Sequence, residues 1–270
     1  MTSLQVSEIE RLSDFDELRI PSGLSFFEPY LRYSVKEVLE VGGEAYGATE
    51  DADPSVSGVF IYDGSEKTGT IYTQSRGVFD HFYSLKPFNL LFAELEANEH
   101  ENETYDIYSM DLESTGIIHR FRHEISMIGA AGDANDVEQF MVATHPGING
   151  KWPRVALENG DRCFLVRLGD ETAGAGWASL VNGIGRLHTL YVRPQFRRLG
   201  IGEDILHARL LWLKSRHARS VFTEISRYNL QSSANVMKAG MKPSGKVFQY
   251  LRRVDRATTT KLPSVLPSEH

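Results

Sequence analysis

The stretch best equipped for chemistry in this 270-residue chain is Arg197-Arg198-Leu199-Gly200-Ile201-Gly202. It follows the apolar run Leu187-His188-Thr189-Leu190-Tyr191-Val192, whose composition reads as a strand, and it opens Glu203 to His217, whose spacing reads as a helix. A strand feeding a glycine-rich turn that starts a helix makes an anion site. The first backbone NH groups of a helix have no internal partner, and the macrodipole is positive there. Glycine at 200 and 202 lets the main chain approach a phosphate without a Cβ in the way, and Arg197 and Arg198 supply charge that a phosphate can use. Spacing then narrows the ligand. A Walker A loop ends in Lys-Ser/Thr, and a dinucleotide fingerprint places a third glycine three residues after the second. Position 205 is Ile and no Lys-Ser/Thr follows, so neither standard nucleotide loop fits.

What does fit is an acyl-CoA loop. With Val192-Arg193-Pro194 ahead of it and Arg197, Gly200 and Gly202 in place, the segment resembles the pyrophosphate loop of the GNAT superfamily of acyl-CoA N-acyltransferases, Arg/Gln-x-x-Gly-x-Gly/Ala. The resemblance runs on through a helix, a strand at Val221 to Ser226, Asn229 and a short helix ending at Gly240-Met241. It is strong over about Arg186 to Met241, weaker over Glu124 to Arg253, and in the first half of the chain lies only in the order of elements.

The resemblance implies transfer of an acyl group, an acetyl group first of all, from acetyl-CoA or another acyl-CoA to an amine of a small molecule or protein, by direct attack in a ternary complex. Leu190, Tyr191 and Val192 would pair their backbone with the pantetheine arm like an added strand, besides serving ordinary core packing. Arg197, Arg198, Leu199, Gly200, Ile201 and Gly202 would hold the pyrophosphate. Asn229 would hold the arm by its amide, a role that coexists with capping the helix behind it. Glu224 stands where some members keep the general base, with a solvated carboxylate as the alternative. His188 is a second candidate base or a satisfied core histidine. The position that commonly carries the proton-donating Tyr is Val236 here, leaving Tyr191, Tyr228 or water to protonate the thiolate. Val236 also keeps open a non-catalytic CoA-binding sensor or scaffold.

The elements that must position these residues follow from composition and periodicity. Charged residues at 24% and apolar ones at 41% place the chain among soluble globular proteins. A net charge of −7 gives no field that favours nucleic acid or an anionic membrane. The single cysteine, Cys163, excludes an internal disulfide and a multi-Cys zinc site, and its apolar run Cys163-Phe164-Leu165-Val166 reads as buried. The first twelve residues lack a signal-peptide core and no run reaches transmembrane length, which leads to the expectation of a cytoplasmic protein. His119 and His123 flank arginines with no acidic ligand at metal spacing, so no metal is expected. The oligomeric state stays open.

In chain order, Met1 to Pro54 is the least legible part, with helical spacing at Tyr30 to Val41 followed by a loop. Val56 to Tyr62, the turn Asp63-Gly64-Ser65-Glu66 and Gly69 to Thr73 form a hairpin pattern. Phe88 to Ala97 has helical spacing, with Val78 to Pro87 before it lacking any Gly-x-Gly, and Tyr105 to Met110 reads as a strand. The second half repeats this order: strand Glu124 to Ile128, a helix Asp133 to Ala143 capped by Asp133, strand Arg162 to Leu168, and the hairpin Ala175 to Val181, Asn182-Gly183, Ile184 to Val192. The expected architecture is therefore α/β, an α+β mixed sheet in a tandem GNAT-like plan. Residues 1–118 form a degenerate copy without a pyrophosphate cradle, 119–254 the catalytic copy, and 255–270 a mobile tail. The first copy either shapes the substrate cleft or serves as a purely structural or dimerising unit.

Overall fold

Alternating burial along the strands draws them into one continuous sheet with helices on both faces. The computed structural model describes residues 4–21, 24, 28–50, 55–95, 101–145 and 150–252. The first half runs β1 (Leu4–Glu8), α1 (Leu12–Asp16), α2 (Glu28–Glu40), β2 (Glu44–Glu50), β3 (Val56–Asp63), β4 (Thr68–Tyr72), α3 (Arg76–Leu85), β5 (Leu90–Ala93) and β6 (Glu101–Asp111). The second runs β7 (Ser126–Ile128), α4 (Asn135–Thr144), α5 (Trp152–Glu158), β8 (Arg162–Leu168), β9 (Glu171–Val181), β10 (Ile184–Val192), α6 (Ile201–Ser215), β11 (Ser220–Ser226), α7 (Leu230–Lys238) and β12 (Lys242–Arg252).

Each half follows one plan: an antiparallel meander, then a helix, then a strand parallel to the last of the meander. The halves are laced together at their ends. Among the described residues the sheet order is β1-β2-β3-β4-β5-β12-β6-β11-β10-β9-β8-β7. The final strand, β12, sits between β5 and β6 of the first half, while β6 pairs along the whole of β11 from Ser220↔Asp111 to Ser226↔Tyr105. Each half thus completes its sheet with a strand from the other.

Side-chain alternation sorts the faces. On β11, Val221 and Ile225 join the cluster under α6, while Phe222 packs on the opposite face beneath α2. On β8, Phe164 and Val166 face α6, and Cys163 and Leu165 face α4 and α5. Helix α2 belongs to the first half in sequence but reaches the second half in space. Tyr30 Oη donates to the Ile184 carbonyl at 2.6 Å, and its ring meets Phe222 edge-on at 5.5 Å. The fully buried Cys163 is a packing residue in the α4–α5 cluster.

The structure revises several local expectations. Phe88 to Ala97 is not a helix. Leu90–Ala93 is a strand, with Leu91 and Ala93 buried in alternation, because it pairs with β4 on one side and β12 on the other; Glu96 and Ala97 lie outside the described residues. The first half's helix comes earlier, inside the stretch read as its approach. Ser75 caps it by accepting from the Val78 NH at 3.4 Å, and Val78, Phe79 and Phe82 bury its inner face. The turn ahead of it, Thr73-Gln74-Ser75, has no Gly-x-Gly either. Asp133 does not cap α4; it ends a short 3-10 turn, and Ala134 takes the cap position without a side-chain bond. The segment read as a loop after Val41 holds β2, and residues 255–270 lie outside the described part.

Candidate active site

Strands β10 and β11 pair in parallel only over Ile184–Arg186 against Ser220–Phe222. The matching pair in the first half, β4 and β5, stays bonded through every residue of β5. Beyond Arg186 the second pair opens, and β10 breaks register against β9 between His188 and Tyr191, where Thr189 takes a left-handed φ of 53°. From the helix side, the buried guanidinium of Arg209 on α6 donates to the carbonyls of Trp177 and His188 at 3.1 and 3.4 Å. It ties the irregular backbone in place.

Two cavities meet where the strands part. One, of about 350 Å³, runs between His188–Leu190 of β10 and Thr223–Ser226 of β11, past Asn229 and Val236. The other, of about 250 Å³, lies toward α2 and is lined by Tyr33, Glu37, Asp161, Arg186 and others. His188, Thr189, Glu224 and Tyr250 line both.

At the far end of β10, the glycine-rich turn opens α6 at Ile201, two residues earlier than its sequence pattern indicates, with Gly200 as N-cap at a φ of 86°. Arg198 is also left-handed, at 66°. A Cβ on Gly202 would only touch the Val192 and Leu190 side chains at 3.7 and 4.0 Å, whereas a Cβ on Gly200 would lie 2.0 Å from Nη1 of Arg122. A third arginine therefore stands over the turn, delivered by the connection between β6 and β7. Arg197 Nε donates to the Val192 carbonyl at 3.2 Å and its guanidinium lies 5.9 Å from the Tyr191 ring centre. Leu199 is half exposed, while Ile201 is buried in the core and anchors the turn.

The side chains of Leu190 and Val192 pack toward α6, and Tyr191 toward Phe140 and His145 on the other face. Asn229 caps α7, accepting from the Ser232 NH at 3.1 Å, and also lines the larger cavity. Tyr228 is 71% exposed, and neither it nor Tyr191 lines a cavity.

Glu224 is nearly buried and forms a 2.7 Å ion pair with Arg186. His188 Nε2 lies 3.3 Å from Asp161 Oδ2. Burial, and then the positive charge of Arg186, push the His188 imidazole down to about 3, so it is neutral. Burial raises the Asp161 and Glu37 carboxyls well above the usual carboxylate range, the negative charge of Asp161 adding to the effect on Glu37. Burial and then the charge of Glu224 raise the Tyr250 phenol, which keeps its proton.

Sequence reasoning brought forward Glu224, His188 and the loop. It missed Tyr33, Glu37, Asp161, Arg186, Tyr250 and Arg122. Arg186 was the one with a local signal, a charge inside an apolar strand. The others come from elements far apart in the chain.

Residues 135–241 match the Acetyltransferase (GNAT) family. No curated protein sequence matches the chain. Among solved structures, a Drosophila protein superposes with a TM-score of 0.64 at 12% identity, covering 92% of this chain and 98% of its own. A tandem GNAT protein from the clavulanic acid biosynthesis pathway superposes with a TM-score of 0.59 at 13% identity over 93% and 98%. A putative acetyltransferase from Pyrococcus horikoshii gives 0.58 at 14% over 93% and 90%. Residues 135–241 thus match the GNAT acetyltransferase family, and the chain as a whole has a tandem GNAT-like fold.

Proposed function

We propose that the protein is an N-acyltransferase that moves an acyl group, most simply acetyl, from acyl-CoA to the amine of a small molecule by direct attack in a ternary complex. The observation that carries this reading is the meeting of two cavities at His188, Thr189, Glu224 and Tyr250, one running between β10 and β11 past Leu190 and Leu206 and the other lined by Tyr33 and Glu37 of α2. A donor and an acceptor entering from opposite sides would meet there, and the entropy cost of bringing them together is met by binding.

The residues present fit acyl-CoA. The opening of α6, Arg197 to Gly202 and Arg122 suit a pyrophosphate, and the unpaired edge of β10 at Leu190–Val192 with Asn229 suits an amide-bearing arm. Acyl-CoA would supply the thioester carbon that the amine attacks. Glu224, held beside Arg186, takes the proton from the acceptor's ammonium so that the neutral amine can attack. Neutral His188 lies in the same wall and can orient the amine. Tyr250 retains its phenolic proton and faces the junction, where its hydroxyl can donate a hydrogen bond to the departing thiolate, which takes its proton from solvent.

A second reading, a CoA-binding sensor without turnover, draws on Val236 and on the ion pair that engages the Glu224 carboxylate with Arg186. Release of CoA from acetyl-CoA over an amine panel, with thermal-shift titration of acetyl-CoA, longer acyl-CoAs, ATP and NAD alongside, separates them. Selective stabilisation by CoA esters with amine-dependent CoA release supports the enzyme, and stabilisation with no release supports the sensor. No response to any CoA species overturns both.

A further inference from the structure

Resting on the acyltransferase reading, we propose that the acceptor is a small molecule with two cationic nitrogens, one held by Glu37 and Asp161 while the other, the amine to be acylated, faces Glu224.

The charge inventory of the 250 Å³ cavity is the starting point. Three carboxyl groups line it, Glu37, Asp161 and Glu224, against one arginine, Arg186. Arg186 forms its ion pair with Glu224 at 2.7 Å. The groups nearest Asp161 are neutral: Tyr33 Oη donates to its Oδ1 at 2.7 Å, and the His188 imidazole lies 3.3 Å from its Oδ2. Arg186 is the one arginine of the lining and acts on Glu37 and Asp161 as well, so three carboxyl groups share one countercharge.

Glu37 adds an independent observation. Its Oε1 is buried at the cavity and has no hydrogen-bond partner in the structure. A buried acceptor of this kind is costly unless something donates to it. An ammonium or guanidinium group in the cavity would donate to Glu37 and Asp161 together and restore both carboxylates. Burial keeps these carboxyls protonated when the cavity holds no cation, so binding should expel protons.

The arrangement also states what the cavity rejects. A carboxylate-bearing amine would bring a negative charge into a cavity whose one arginine is already paired with Glu224, and a monoamine would leave Glu37 unpaired. Glu37 and Tyr33 come from α2, so the first half of the chain, which has no cradle of its own, would choose the acceptor for the second.

Isothermal titration of the full chain, without any CoA, tests the idea with a short alkyl diamine, the monoamine of equal length, and an amine carrying a carboxylate. Two buffers of different ionisation enthalpy read proton release. The diamine should bind at least ten-fold more tightly than the monoamine and release protons. Glu37→Gln and Asp161→Asn, checked for an unchanged or raised melting temperature, should each cut that preference by about ten-fold. With acetyl-CoA added, kcat/KM should show the same preference. Equal binding of diamine and monoamine, preference for the carboxylate-bearing amine, or a preference untouched by both substitutions would overturn the proposal. Diamine binding with proton release but no acetyl-CoA-dependent turnover would sustain the ligand class and sink the acyltransferase reading. Turnover confined to monoamines would do the reverse.

Discussion

The Glu224 carboxylate lies 2.7 Å from the Arg186 guanidinium, its partner one strand away on the same face of the sheet. The pair bridges β10 and β11 where their parallel pairing ends, so the candidate base is fixed at the mouth of the opening between them. Glu224→Gln keeps the shape and a hydrogen bond to Arg186 but cannot accept a proton. It should lower kcat by roughly 100-fold or more while leaving the acetyl-CoA dissociation constant within about two-fold. Rate measurements across pH with a diamine acceptor and parallel titration calorimetry check this. A kcat unchanged by the substitution would remove Glu224 from the proton path.

Tyr250 is the phenol that the fold, rather than the sequence, brings to the junction. Its ring stacks on Tyr105 with centroids 3.7 Å apart, so a Phe at 250 keeps the packing. Tyr250→Phe should reduce kcat about ten-fold or more with little change in KM for acetyl-CoA, and Tyr228→Phe, far out in solvent, should change neither. An acyl donor with a more acidic thiol should recover most of the rate lost at Tyr250 if a hydrogen bond to the leaving thiolate is its role.

Gly200 cannot carry a side chain without displacing Arg122, and its φ of 86° is strained for any L-residue. Gly200→Glu adds a like charge facing any phosphate. The wild type at about a hundred times the dissociation constant of acetyl-CoA should gain about 2.7 kcal/mol of stability, and the variant should gain almost none. Differential scanning fluorimetry reads both. Equal stabilisation of the two proteins would mean that the turn does not bind the cofactor.

These tests divide along the same line as legibility. The turn at Arg197 to Gly202, its helix and Asn229 could be read from the sequence because they are contiguous, and their glycine, capping and apolar signals are local. Phe88, Leu91, Phe92 and Leu95 also fit a helical period, but the cross-strand partners of β5 decide its conformation, and β12 arrives 150 residues later in the chain; Gln249 of β12 pairs with Ala93. The smaller cavity was invisible for the same reason. Glu37, Asp161 and Tyr250 are unremarkable one at a time, and become a site only through the exchanged strands and the reach of α2 across the sheet.

The connection between the halves is itself fastened to the start of α6, beside the glycine-rich turn, through Asp204. This fully buried carboxylate accepts from His119 Nε2 at 2.7 Å, from the Arg122 and His123 NH groups at 3.0 and 3.1 Å, and pairs with His123 Nδ1 at 2.8 Å. Next to it, Glu203 pairs with Arg122 at 3.0 Å and Lys238 at 2.7 Å, so the strap, α6 and α7 are joined at one point. Burial works against ionisation of Asp204, but the bonds from His119, His123 and the two NH groups outweigh it and hold the carboxyl below its usual range. A depressed pKa in the folded state contributes stability above the unfolded carboxylate value, near ~4, and that stability is lost as pH falls through the lower folded value. Asp204→Ala leaves several buried donors without an acceptor and should cost about 3 kcal/mol at neutral pH in urea unfolding, with a shallower loss of stability below pH ~4 than the wild type. Because Arg122 is positioned by the same strap, acetyl-CoA should also bind more weakly to this variant, whereas Arg122→Ala should weaken binding with little loss of stability. Equal stability of the wild type and Asp204→Ala would show that the four contacts on Asp204 are incidental.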